Sequence, residues 1–148
     1  MYSLGVDAVE IKRFAHWNTR YNQKNLSHIF TAQEIEYCLK EPLKSAERFA
    51  GRFAAKEAYF KALSHCQIFS NSSFYTISKY IRVIKNGNGS CIINFDNSHI
   101  LYTCCLPSLT CHLSITHTST LAFAVVILSK KEMSNCQKDL IKLDNHSK

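Results

Sequence analysis

Apolar positions in residues 2–8 alternate with polar or small ones: Leu4, Val6 and Ala8 share one face, Gly5 and Asp7 the other. Period-two spacing predicts a short first strand. Ile11, Phe14 and Trp17 then recur among Lys12, Arg13, Arg20 and Lys24, and this spacing predicts a helix with a basic outer face over 10–24. Thr31-Ala32-Gln33-Glu34 is a capping-box sequence and predicts a following helix with Ile35, Cys38 and Leu39 on its apolar side. The strongest helical signal covers 44–65, where alanines dominate and Phe49, Phe53, Phe60 and Leu63 recur at core-facing intervals. Gly51 interrupts this run, which suggests a close approach by another backbone or a ligand.

Beyond this helix the pattern changes. Residues 66–78 are rich in Ser and Asn and predict a loop. Two β-rich segments, 80–85 and 91–95, flank Asn86-Gly87-Asn88-Gly89 and predict a hairpin. His112 to His117 alternates as a half-buried strand, and Leu121 to Leu128 reads as a fully buried one, with a turn over 116–120. Residues 129–148 read as a polar tail, with room for a short helix around Leu140 to Leu143. These elements predict one α+β domain over 1–128, with a small antiparallel sheet packed on a long central helix.

Composition narrows the class. With 148 residues and 46% apolar content the chain can bury a single core. Its longest apolar run is far shorter than the ~20 residues of a membrane helix. The segment from Met1 to Asp7 lacks the basic-then-apolar pattern of a secretion signal. The net charge of +7 favours an acidic partner. Two readings fit it: an enzyme acting on phosphorylated or acidic substrates, or a basic non-enzymatic module binding RNA or another polyanion. The bases form no long block and are not interleaved with aromatics, which argues against nucleic acid. The seven cysteines include no CxxC pair, so a zinc site is not expected and they read as thiols in a cytoplasm.

Candidate chemistry lies on the long helix. At 100° per residue, Ala50, Ala54, Glu57 and Lys61 form one stripe, and the two alanines leave room beside a carboxylate and an ammonium. An exposed i,i+4 ion pair between Glu57 and Lys61 is the plain alternative. Asp7 sits beside Gly5 in the first strand, and together with Glu57 it would suit a hard cation such as Mg²⁺. His117, with Ser114, Thr116 and Thr118, closes a strand with groups able to bind phosphate.

Together these segments carry a resemblance. Gly5-Val6-Asp7, then Phe49-Ala50-Gly51-Arg52-Phe53-Ala54-Ala55-Lys56-Glu57-Ala58 continuing to Lys61, then His112-Leu113-Ser114-Ile115-Thr116-His117-Thr118, resemble in order and separation the holo-[acyl-carrier-protein] synthases. These are the small bacterial 4′-phosphopantetheinyl transferases. After the signature helix the family has a Gly-Thr-Gly-like turn where this chain has Ser64-His65-Cys66, and its hairpin reads N-G-K-P where this one reads Asn88-Gly89-Ser90-Cys91. The resemblance implies transfer of the phosphopantetheine arm of coenzyme A to a carrier-protein serine in fatty acid biosynthesis. It implies that Asp7 and Glu57 hold Mg²⁺, that Glu57 helps remove the serine proton, and that Lys61 offsets pyrophosphate charge. It further implies that Arg52, Ser114, His117 and Thr118 meet the nucleotide's phosphates, and that Lys12, Arg13, Arg20 and Lys24 dock the acidic acyl carrier protein. A cytoplasmic homotrimer, without nucleic-acid or membrane partners, completes what it implies.

Overall fold

The computed structural model describes residues 2–17, 23–65, 73–95 and 109–130. Strands β1 (Tyr2–Glu10), β4 (Leu109–His117) and β5 (Leu121–Lys130) form an antiparallel sheet in the order β1-β5-β4. Strands β2 (Ile81–Lys85) and β3 (Cys91–Phe95) form the expected hairpin, whose turn uses Gly89 at φ 88°, a left-handed conformation that suits glycine. Helices are α1 (Gln23–Leu26), α2 (Ala32–Leu39), α3 (Ser45–His65) and α4 (Phe74–Ser78). The α+β class and the sheet-on-helix architecture are as expected. Among the described residues no helix is long and apolar enough to cross a membrane.

Helix α3 is the centre of the fold and is buried on most of its circumference. Its small residues let strands approach. Ser3 Oγ donates to the Ala62 carbonyl at 2.6 Å, and a Cβ on Gly5 would lie 1.8 Å from the Ala58 carbonyl oxygen. Its large residues build the other side of the core: Phe49 and Phe53 pack with Phe14, and Phe49 lies 5.0 Å from Phe30 between ring centroids. The close approach expected at Gly51 therefore occurs at Gly5. A Cβ on Gly51 would meet only Ile115 Cγ2, at 3.4 Å, an ordinary contact.

Four other expectations are corrected. Residues 10–24 are not one helix. The chain makes a 3-10 turn at Ile11–Phe14 and α1 follows later. Ile11, Phe14 and Trp17 are spaced by three, which a 3-10 turn satisfies, and the Ile11 N–H is held by the Thr120 carbonyl at 2.9 Å. The segment 66–78 ends in α4, where the Ser73 side chain caps the Thr76 N–H and Phe74 and Ile77 are buried. The stretch 121–128 is not buried on both faces. Ala122, Ala124, Val126 and Leu128 face α3, whereas Phe123 and Ile127 are exposed, because only one layer covers the sheet. The same register turns Leu4 and Val6 outward and Gly5 and Val9 inward. Finally, Ala50 and Ala54 are fully buried, so no open space lies above them. Strand β5 continues to Lys130; the rest of the expected tail, with its possible helix at 140–143, lies outside the described residues.

Candidate active site

Strand β1 lies against the flank of α3 because Gly5 carries no side chain to hold it off. Two residues on, Asp7 reaches the Lys61 ammonium, with Oδ1 to Nζ at 2.8 Å. The Lys61 ammonium also donates to the Val6 carbonyl at 3.1 Å. The ion pair of Lys61 thus runs across the strand–helix contact and is not the i,i+4 pair with Glu57. Asp7 is largely shielded, at 14% side-chain exposure, while Lys61 remains half exposed at 49%.

Glu57 lies one turn before Lys61. Its carboxyl is pushed above the ordinary glutamate value, first by burial and then by the negative charge of Asp7; Lys61 and Arg13 oppose the shift. Two carboxylates that feel each other in a partly shielded place are the donors a hard cation needs. The described residues hold no group of three or more His, Cys, Asp or Glu able to cage a metal. Mg²⁺ does not require one, since it takes one or two carboxylates and fills its shell with water and phosphate oxygens. Asp7 and Glu57 therefore fit Mg²⁺.

The remaining candidates fall in several places. Arg13 leans over Phe53 with its guanidinium carbon 5.0 Å from the ring centroid, and it contributes to the field at Glu57. Lys12 is exposed and pairs with Glu10 at 3.1 Å. Arg20 lies outside the described residues, and only the backbone of Lys24 is described, in α1.

Arg52 is separate from the carboxylates. It is 7% exposed, stacks over Tyr37 at 4.1 Å, and leaves its Nε without a hydrogen-bond partner. It lines a cavity of about 180 Å³ between α2, α3 and β2, together with Tyr37, Arg82 and Lys85. Sequence reasoning named Arg52 but missed its neighbours, which come from distant segments with no motif to join them.

The closing hairpin divides its candidates. His117 Nε2 lies 3.3 Å from Glu47 Oε1 on α3. The Thr118 hydroxyl accepts the Thr120 and Leu121 N–H groups at 3.2 and 3.1 Å and so shapes the turn. Ser114, an odd number of residues from His117 along β4, points to the opposite face and pairs in register with Val125. Within one chain, Ser114 is not brought to the same site as His117.

Residues 3–105 match the model of the 4′-phosphopantetheinyl transferase superfamily. The chain belongs to this superfamily. A holo-[acyl-carrier-protein] synthase of Chlorobium phaeovibrioides is 34% identical over 133 residues, covering 90% of this chain and 98% of that protein. Among solved structures, the Helicobacter pylori holo-[acyl-carrier-protein] synthase in complex with coenzyme A is similar at TM-score 0.65 and 28% identity, over 85% of this chain and 99% of that one. The Mycobacterium tuberculosis acyl carrier protein synthase is similar at TM-score 0.63 and 28% identity, over 86% of this chain and 96% of that one. Membership of this transferase superfamily sets aside the non-enzymatic polyanion-binding module.

Proposed function

We propose that this chain transfers the 4′-phosphopantetheine group of coenzyme A to a serine of apo acyl carrier protein, releasing adenosine 3′,5′-bisphosphate, in fatty acid biosynthesis. The observation that carries this reading is the convergence of Asp7 from β1 with Lys61 of α3, one turn beyond Glu57. Asp7 and Glu57 would hold Mg²⁺, which when bound would supply the positive charge that phosphoryl transfer requires.

The chain's own groups do the rest. Glu57 is assigned the removal of the serine proton. Lys61, half exposed and held at Asp7, places its ammonium where charge builds on the pyrophosphate and the leaving phosphate. Arg52 lines its cavity and binds a phosphate of the nucleotide, with Arg82 and Lys85 adding charge. His117 and Thr118 are assigned to the nucleotide as well. Lys12, Arg13, Arg20 and Lys24 dock the acidic carrier, with Arg13 at the edge of the carboxylate site.

The homotrimer is assigned from the family resemblance, and the outward sheet face offers a surface for contact between copies. Leu4, Phe123 and Ile127 are 55%, 38% and 41% exposed on adjacent strands, an apolar area that a second copy would cover. Ser114 lies on that face, so it reaches a nucleotide only across an interface between copies. A cytoplasmic location agrees with Cys38, Cys91 and Cys111 being free thiols.

The site assignment is tested by Lys61→Ala. Transfer to apo carrier protein should fall by about a hundredfold or more in kcat, while Mn²⁺ binding followed by electron paramagnetic resonance persists. Unchanged kcat would remove Lys61 from the reaction.

A further inference from the structure

Lys56 neighbours Glu57 in sequence and has no part in the mechanism above. Adjacent helical residues point about 100° apart, and Lys56 turns away from the carboxylate site into the core, where it is 0% exposed. Its ammonium has three protons and three acceptors: Glu34 Oε2 at 2.7 Å, the Ile29 carbonyl at 2.7 Å and the Ser78 carbonyl at 3.0 Å. The acceptors come from α2, the segment before it, and the end of α4.

Glu34 is equally committed. Its Oε2 also accepts the Thr31 N–H at 2.9 Å and the Thr31 hydroxyl at 3.0 Å, closing the capping box. Its Oε1 accepts the Val83 N–H of β2 at 2.9 Å. One carboxylate therefore joins α2 to β2 through one oxygen and to α3 through the other. These three elements are the walls of the Arg52 cavity: Gln33 and Tyr37 from α2, Arg52 from α3, and Arg82 to Lys85 from β2. Two weaker links also cross the cavity: Arg52 of α3 stacks over Tyr37 of α2 at 4.1 Å, and Arg82 and Gln33 share an exposed hydrogen bond at 2.9 Å, the kind that contributes little when solvated.

We infer that Glu34 and Lys56 form a buried clamp that fixes the walls of the Arg52 cavity, and that Lys56 is a positioning residue for the nucleotide end of coenzyme A. This rests on the assignment of that cavity to the nucleotide. A clamp of this kind acts on binding. It leaves Asp7, Glu57 and Lys61, on the other flank of α3, in place.

The test compares Glu34→Gln, Lys56→Met and Arg52→Ala with the wild type. Thermal melting, steady-state kinetics and calorimetric binding of adenosine 3′,5′-bisphosphate are measured for each. In either clamp variant that melts cooperatively, KM for coenzyme A should rise about tenfold or more, with kcat within about threefold of wild type. Affinity for the bisphosphate should fall in step with KM. A fall in kcat with KM unchanged would make Lys56 part of the chemistry and overturn the inference. Failure of both clamp variants to melt cooperatively would assign the pair to folding alone and overturn it too. Arg52→Ala separates the two readings: if it leaves KM and bisphosphate affinity unchanged in an active enzyme, the cavity is not the nucleotide site. If it raises both KM and the dissociation constant while the clamp variants do not, the clamp alone fails.

Discussion

Glu57→Gln and Asp7→Asn are each expected to reduce phosphopantetheine transfer by about a thousandfold or more without unfolding the chain. Both substitutions keep shape and remove one of the two carboxylates proposed to meet the metal. The Glu57 variant has a second expected effect. Because burial and Asp7 raise the Glu57 pKa in the fold, the native state binds this proton more tightly than the unfolded chain does. The ionised carboxylate therefore costs stability at pH above its raised value, and that cost disappears as the pH falls through it. At neutral pH without metal, Glu57→Gln should melt at or above the wild-type temperature. Loss of activity with retained or raised melting temperature identifies a group kept for chemistry at the expense of the fold. Wild-type activity in either variant would remove the metal and base assignments.

Gly5→Ala is expected to be the most damaging substitution of a small residue. A Cβ there would sit 1.8 Å from the Ala58 carbonyl oxygen and 2.8 Å from the Ala62 nitrogen. Both are backbone atoms of α3 and cannot swing aside. Overpacking ordinarily costs about 1–3 kcal/mol; a clash between two main chains should reach the top of that range or exceed it. Moving β1 outward also draws Asp7 away from Glu57, so activity should be lost even where the chain remains folded. Equilibrium urea unfolding and transfer kinetics on one preparation check both effects. Wild-type stability would mean that β1 does not need this contact.

Gly5 also shows where sequence reading stopped. Period-two alternation placed β1 correctly, but it could not say which face meets α3. Leu4 and Val6 form the apolar face by hydropathy, yet Gly5 and Ser3 meet α3 because its backbone comes so close there that only small side chains fit. In β5 the apolar Phe123 and Ile127 face outward because only one layer covers the sheet. Helix α3 and the α2 capping box were legible because both signals are local and strong. The expected helix over 10–24 failed because a spacing of three fits a 3-10 turn as well as an α-helix. Asp7, Glu57 and Lys61 were legible as a motif. The Glu34–Lys56 pair was not: Glu34 was seen only as a cap, and nothing local in sequence signals that its carboxylate also binds Lys56 and Val83.

The most direct test of the account is the intact mass of apo acyl carrier protein after incubation with this protein, coenzyme A and Mg²⁺, with and without EDTA. The account predicts a gain of one phosphopantetheine group that EDTA abolishes. A carrier protein whose mass does not change, with folded enzyme and an authentic acceptor, would contradict the proposed reaction, and a gain that survives EDTA would contradict the metal assignment to Asp7 and Glu57.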